Sequence, residues 1–321
     1  MTRWAVGVDF GGTNIKIGIV DVRGRAAGLR VLSSKRYGHP AAFVDGISRS
    51  VESLAASVGV APRRLAGVGI GAPGPVDVER GIVHSLVNVP GWHDVPLGGR
   101  LARRLRCRCL VDNDVNLFTL GEWRFGAGRG AQDLIGLTLG TGVGGGLMFD
   151  GRLYRGAAGS AGEIGHMVID PGGRRCGCGA RGCLEAQVGT KAIRAMALEA
   201  AGRSSGTLKT LIRSSRGRIT PELVNVAAGR GDAGAKRIWR EVGRSLGVAL
   251  GNLINALNPD RIVVGGGVAK AWRFFYPTLM GTVRAQAMAV PVRAVRIVPA
   301  RLGDRAAILG AALLARQGLG S

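Results

Sequence analysis

Apolar residues fill WAVGVDFGGTNIKIGIVD (4–21), break at Gly11-Gly12-Thr13, and then resume. Two such runs joined by a glycine turn predict a β-hairpin, with glycine supplying positive φ at the turn. A second strand–turn–strand pattern, DLIGLTLGTGVGGGLMFDG (133–151), echoes the first. Elsewhere the period lengthens to that of a helix. Phe43, Ile47, Val51, Leu54 and Val58 predict one over 41–59, and short helices follow over 97–106 and 115–126. Strands are predicted over 65–77, 107–114 and 261–269, the first and last of them entering glycine-rich loops. A long helix over 235–259 carries Gly243, Gly247 and Gly251 as a stripe for close backbone packing. A last amphipathic helix spans 305–317, with Asp304 as its expected N-cap.

Two glycine-turn hairpins, each opening an α/β segment, predict two similar α/β lobes facing a cleft. Composition agrees, with 55 glycines and 46% apolar residues in 321. No apolar run reaches membrane-span length, and the residues ahead of the first strand leave no room for a signal peptide. The expected compartment is the cytoplasm, with no membrane partner.

The net charge of +23 raises a nucleic-acid or polyphosphate partner. Six of the 44 basic residues are lysines, and the arginines that make up the rest are scattered without a block of like charge. The charge is therefore read as composition spread over a solvated surface, with no specific nucleic-acid partner expected.

Three glycine loops can present backbone N–H groups to phosphate: DFGGTNIK (9–16), LGTGVGGG (139–146) and VGGGVA (264–269). In the first, Asp9 suits Mg²⁺, Thr13 a phosphate oxygen and Lys16 phosphate charge. Phosphoryl transfer to an alcohol also needs a base. VDNDVN (111–116) offers Asp112 and Asp114 at a strand end, although Asp112 taken alone suits an N-cap for the helix from Val115. Downstream lie His166, Cys176, Cys178 and Cys183. Three thiolates and one imidazole make a closed tetrahedral site for structural Zn²⁺. Cys107 and Cys109, two apart, are expected to share one face of a strand as core or half-exposed thiols.

Taken together and in order, DFGGTNIK, GAPGPVD, NDVN, LGTGVGGG, GEIGH, CGCGARGCLE and VGGGVA resemble the ROK family of repressors, open reading frames and kinases, and its sugar kinases in particular. The resemblance covers nearly the whole chain. It implies the two-lobed actin-like ATPase (hexokinase-type) fold, with ATP and a sugar in the cleft and the C-terminal helix returning to the N-terminal lobe. The lobes are expected at residues 1–112 with 301–321, and at 113–300 with the zinc site. By resemblance, Asp114 is the catalytic base that takes the sugar 6-hydroxyl proton. Asn113, Glu163, His166 and Glu185 are sugar ligands, and Gly74 is a backbone neighbour. Asp9, Gly11, Gly12, Thr13, Asn14 and Lys16, with Gly140, Thr141, Gly142, Gly144 and Gly145, cradle the phosphates of ATP and its Mg²⁺. Gly265, Gly266 and Gly267 flank the adenosine.

The activity so implied is that of a glucokinase-type hexose kinase acting at the entry to glycolysis. N-acetylmannosamine, N-acetylglucosamine and other hexoses are alternative substrates, and polyphosphate is an alternative donor. A sugar-responsive repressor is the rival from another class, disfavoured because no helix-turn-helix precedes the first strand. A homodimer or homotetramer is expected. Loss of zinc is expected to harm the sugar ligands more than the phosphate loops, which lie elsewhere in the sequence.

Overall fold

The structure, a computed structural model, describes residues 4–86, 91–203 and 205–318; Thr2 and Arg3, directly ahead of the first strand, lie outside these. The chain begins with β1 (Ala5–Phe10), β2 (Asn14–Val20), β3 (Ala26–Ser33), α1 (Pro40–Ser57), β4 (Val68–Ala72), β5 (Val76–Asp77) and β6 (Ile82–Ser85). Next come β7 (His93–Val95), α2 (Leu97–Leu105), β8 (Cys109–Asn113), α3 (Asp114–Phe125), β9 (Leu134–Leu139), β10 (Val143–Phe149) and β11 (Arg152–Tyr154). Helices follow as α4 (Leu184–Val188), α5 (Thr190–Gly202), α6 (Thr207–Ser214), α7 (Pro221–Gly229) and α8 (Ala233–Leu257). The chain closes with β12 (Arg261–Gly265), α9 (Trp272–Gln286), α10 (Ala289–Ala294), β13 (Arg296–Pro299) and α11 (Ala306–Gln317).

Two five-stranded sheets have the orders β3-β2-β1-β4-β8 and β11-β10-β9-β12-β13. In each, the third strand to form lies at one edge, followed by the second, first, fourth and fifth. The echo of the two glycine hairpins therefore extends to whole sheets. In the first, β1 is antiparallel to β2 and parallel to β4, which is parallel to β8. In the second, β10 is antiparallel to β11 and β12 parallel to β13. A small sheet, β5-β6-β7, is inserted after β4.

The chain divides into two compact units: Met1–Gly136, Gly146–Gly162 and Ala300–Ser321 form one, and Leu137–Gly145 with Glu163–Pro299 the other. The sequence placed the change of lobe after residue 112, whereas β8, α3 and residues 146–162 stay together in the first unit. The reason is close packing of α3 on α11. A methyl group on Gly121 would overlap the Ala306 carbonyl, and one on Gly310 the Leu117 carbonyl.

In the first unit α11 also crosses the sheet, where Gly7 and Gly69 leave room for the carbonyls of Ile308 and Ala311. Phe43, Ile47 and Val51 of α1 join Val8, Ile17 and Ile70 in the core. Burial of each such side chain contributes about 1.5–3 kcal/mol. Asp304 does not cap α11. Arg305 occupies the cap position without a side-chain bond, and the Asp304 carboxylate instead pairs with Lys16 at 3.2 Å.

In the second unit the glycine stripe of α8 faces α9. A methyl on Gly243 would overlap the Phe275 carbonyl, and one on Gly247 would lie 2.5 Å from Thr282 Cβ. At Gly251 the neighbouring Gln286 Cβ stands 3.5 Å away, so the close approach ends there. The strand predicted over 261–269 stops at Gly265, and the chain turns into a short 3-10 segment, Val268–Ala271.

Candidate active site and metal centre

In the first unit, Asp9 is the penultimate residue of β1, beside the turn to β2. Gly11 N–H donates to the Asn14 carbonyl at 3.1 Å, and Ser34 Oγ donates to the Gly11 carbonyl at 2.7 Å. Neither Gly11 nor Gly12 adopts positive φ, so the turn does not use glycine for its left-handed freedom. What glycine supplies is space: nothing lies within 4 Å of a methyl built on Gly12. Burial pushes the Asp9 carboxyl up to about 6; Lys16 opposes that shift and Asp304 adds to it. A cation placed here would offset the cost of ionising Asp9.

The strand-to-helix junction at β8–α3 is held from both sides. Asp112 is fully buried, and its Oδ2 accepts from Arg155 Nη2 at 2.8 Å and Nε at 3.0 Å. Its Oδ1 accepts from the Asn113 N–H at 2.7 Å and Asn116 Nδ2 at 2.9 Å. Asp112 is thus a buried anchor and not the helix cap. The cap is Asn113, whose Oδ1 accepts from Val115 N–H at 2.8 Å and Asn116 N–H at 3.3 Å. Asn113 Nδ2 donates to the Gly74 carbonyl at 3.4 Å, so Asn113 and Gly74 meet. Gly74 has φ +97°, which here does require glycine. Asp114 follows as the first residue of α3, half-buried, with Oδ1 accepting its neighbour's N–H from Val115 at 3.0 Å. Arg155 was not anticipated from sequence. Its partner lies 43 residues away, and no local spacing marks it.

In the second unit the four expected metal ligands converge. The nearest ligand atoms of His166, Cys176, Cys178 and Cys183 lie within 4.8 Å of one another. His166 Nδ1 is 3.6 Å from Cys176 Sγ, and Cys178 Sγ is 3.7 Å from Cys183 Sγ. Corners of a zinc tetrahedron with ordinary Zn–S and Zn–N bonds stand about 3.5–3.8 Å apart, so the donor set fits Zn²⁺ in type and spacing. The other ring nitrogen of His166, Nε2, points toward Glu163 Oε2 at 3.9 Å. Cys107 and Cys109 are not among these four ligands. Strand β8 starts only at Cys109, which is buried, and Cys107 precedes it half-buried.

The second glycine loop lies beside the cysteine segment. Glu185, two residues after Cys183, accepts the Val143 N–H at 3.0 Å through Oε2. Its Oε1 is 4.0 Å from Cys176 Sγ. A methyl on Gly142 would stand 2.5 Å from Glu185 Oε2, so a side chain there would have to displace the Glu185 carboxylate. Thr190 donates to the Gly140 carbonyl through N–H at 3.0 Å and Oγ1 at 2.8 Å, a support that the sequence reading missed. Gly266, with φ +89°, packs on the Leu139 backbone. The 139–145 and 264–267 loops therefore meet, while a methyl on Gly140 would find open space.

Two sheets of like order, each opened by a glycine-turn hairpin, with a carboxylate at a strand-to-helix junction, define a phosphate-handling α/β protein of the actin-like ATPase, hexokinase-type fold. The chain belongs to the ROK family, whose model matches residues 5–318. It is 35% identical over 316 residues to a glucokinase of Halalkalibacterium halodurans, covering 98% of this chain and 96% of that one. A ROK family glucokinase from Streptomyces griseus, solved with glucose and AMPPNP, superposes with a TM-score of 0.83 at 34% identity, covering 98% of this chain and all of that one. The family also includes regulators: the Escherichia coli repressor Mlc is 32% identical over 251 residues, 78% of this chain and 61% of the repressor. Among the described residues, no helix is long and apolar enough to cross a membrane.

Proposed function

We propose that this protein is an ATP-dependent hexose kinase that phosphorylates the 6-hydroxyl of glucose. The observation that carries the reading is Asp114 at the head of α3, next to an Asn113 locked by its own cap bonds and by Gly74. A carboxylate fixed in this way accepts the 6-hydroxyl proton as the oxygen attacks the γ-phosphorus, and ADP departs with the electrons of the broken P–O bond. Asn113, Glu163, His166 and Glu185 supply the amide, carboxylates and imidazole that hydroxyl groups need. Asp9, Thr13 and Lys16 serve the phosphates of Mg²⁺-ATP, as does the loop of Gly140, Thr141, Gly142, Gly144 and Gly145, in which the Gly140 and Val143 N–H groups are already engaged by the Gly142 carbonyl and Glu185. Mg²⁺ supplies charge neutralisation on the transferred phosphoryl group. Zn²⁺ held by His166, Cys176, Cys178 and Cys183 supplies a fixed orientation of His166 and no open coordination position. A homodimer or homotetramer working in the cytoplasm at the entry to glycolysis completes the proposal.

ADP release measured over a panel of hexoses and N-acetylhexosamines, with ATP or polyphosphate as donor, tests this directly. Glucose with ATP is expected to give the highest kcat/KM. In the same assay Asp114→Asn should lower kcat by at least about 10²-fold with sugar affinity retained, because the amide keeps the shape but accepts no proton. Near-normal turnover in that variant removes Asp114 from the mechanism. Turnover on no sugar, together with sequence-selective binding of a DNA duplex, replaces the kinase with a regulator.

A further inference from the structure

The cysteine cluster and the second glycine loop are far apart in sequence, yet one carboxylate touches both. Glu185 follows Cys183 by two residues at the start of α4, which fixes its position relative to the cluster. Its Oε2 accepts the Val143 N–H at 3.0 Å, and its Oε1 is 4.0 Å from Cys176 Sγ. The same loop is braced at two further points. Gly165, in the turn that carries His166, admits the Val143 carbonyl where any side chain would overlap it. Past α4, Thr190 holds the Gly140 carbonyl with two hydrogen bonds. Residues 140 and 143 are therefore fastened to two segments, 163–166 and 183–190, and the metal ligands His166 and Cys183 lie within these segments.

We infer that Glu185 is a positioning residue for the donor-phosphate loop, and that the metal centre supports nucleotide binding through it. The inference deepens the kinase reading, since it rests on residues 140–145 taking ATP phosphates. It reverses the expectation that metal loss would spare the phosphate loops. Separation along the chain gave that expectation, and the Glu185–Val143 bond removes its basis. The physical argument is one of preorganisation. A loop that binds phosphate with backbone N–H groups must hold them aimed before the ligand arrives, or ordering the loop is charged against affinity. A carboxylate that accepts one loop N–H, itself held by metal-bound neighbours, provides that order.

Four forms of the full chain are to be compared without sugar: wild type, Glu185→Ala, Glu185→Gln and Cys178→Ser. Metal content, AMPPNP affinity by calorimetry and amide hydrogen exchange over residues 139–145 are measured on each. Glu185→Ala should keep its zinc, exchange faster over 139–145, and bind AMPPNP more weakly by on the order of tenfold. Cys178→Ser should hold less than one zinc per chain and show the same two changes. Glu185→Gln, which keeps an oxygen acceptor, should restore part of the protection. Exchange over α8, in the same unit, reports whether each variant is folded there. If Cys178→Ser fails to fold, the zinc-loaded Glu185 pair decides the matter alone. Unchanged exchange and AMPPNP affinity in folded Glu185→Ala would overturn the inference. Absence of AMPPNP binding by wild type would instead strike the kinase reading, while faster exchange in Glu185→Ala would still show that Glu185 orders the loop.

Discussion

The two glycine turns, one between β1 and β2 and the other between β9 and β10, occupy equivalent places in sheets of the same strand order, yet they are equipped differently. The first carries its own charges: Asp9 and Lys16 lie on its strands, and Asp304 pairs with Lys16. The second has no charged residue from Leu139 to Gly146 and takes Glu185 from the cysteine segment. The same backbone device is thus surrounded by its own charges in one unit and braced by a distant carboxylate in the other.

Substituting one glycine in each turn tests this contrast, and the largest effect is expected in the second. Gly142→Ala must displace Glu185 Oε2, which stands 2.5 Å from the new methyl. AMPPNP affinity should fall about tenfold or more, equivalent to about 1.4 kcal/mol, with faster amide exchange at Val143. Gly12→Ala meets nothing within 4 Å, so melting of the ligand-free protein should move by less than about 2 °C. AMPPNP should still bind more weakly, because the methyl fills the space that a phosphate oxygen would take. Equal behaviour of the two variants would erase the distinction between the turns.

Asp9 gives the first turn a pH dependence that the second lacks. Its carboxyl, raised to about 6 by burial, holds a proton in the folded chain at pH values where the unfolded chain has lost it. The folded state therefore binds more protons between about pH 4 and 6, and stability falls as pH rises through that window. The loss approaches about 3 kcal/mol above pH 6. Asp9→Asn should remove this slope, so that the variant melts higher than wild type at pH 7–8 in the absence of ligand, measured by calorimetry across pH. Added Mg²⁺-ATP should narrow the difference by stabilising wild type more, because the cation favours ionised Asp9. A wild-type melting point flat from pH 4 to 7 would show that Asp9 is not the buried acid of the first turn.

The smallest effect belongs to Asp304→Ala. The Asp304 side chain is 91% exposed, and an exposed ion pair contributes little to stability. Melting should shift by less than about 2 °C. A larger fall would make the Lys16–Asp304 pair a structural tie between the first turn and the start of α11.

Short-range spacing determined both hairpins, the helices expected over 41–59, 97–106, 115–126, 235–259 and 305–317, the glycine stripe of α8 and the four candidate metal ligands, while α5, α7 and α9 were not read from it. Each feature so read is written in spacings of a few residues, and strand pleat, helix turn and ligand tetrahedron act at that range. Asp112 and Asp114 were legible as candidates for the same reason, at one strand end, whereas Asn113 came from the family resemblance. Tertiary structure alone decided that Asp112 is an anchor and Asn113 the cap, since the Arg155 guanidinium that occupies Asp112 arrives from 43 residues away. It also decided that Asp304 leaves α11 for Lys16, that α3 stays with the first unit through its glycine contacts with α11, and that Glu185 reaches a loop 42 residues earlier. Those partners are chosen by which backbones can approach closely enough to touch. That choice depends on the packing of the whole unit, and no short window of residues contains it.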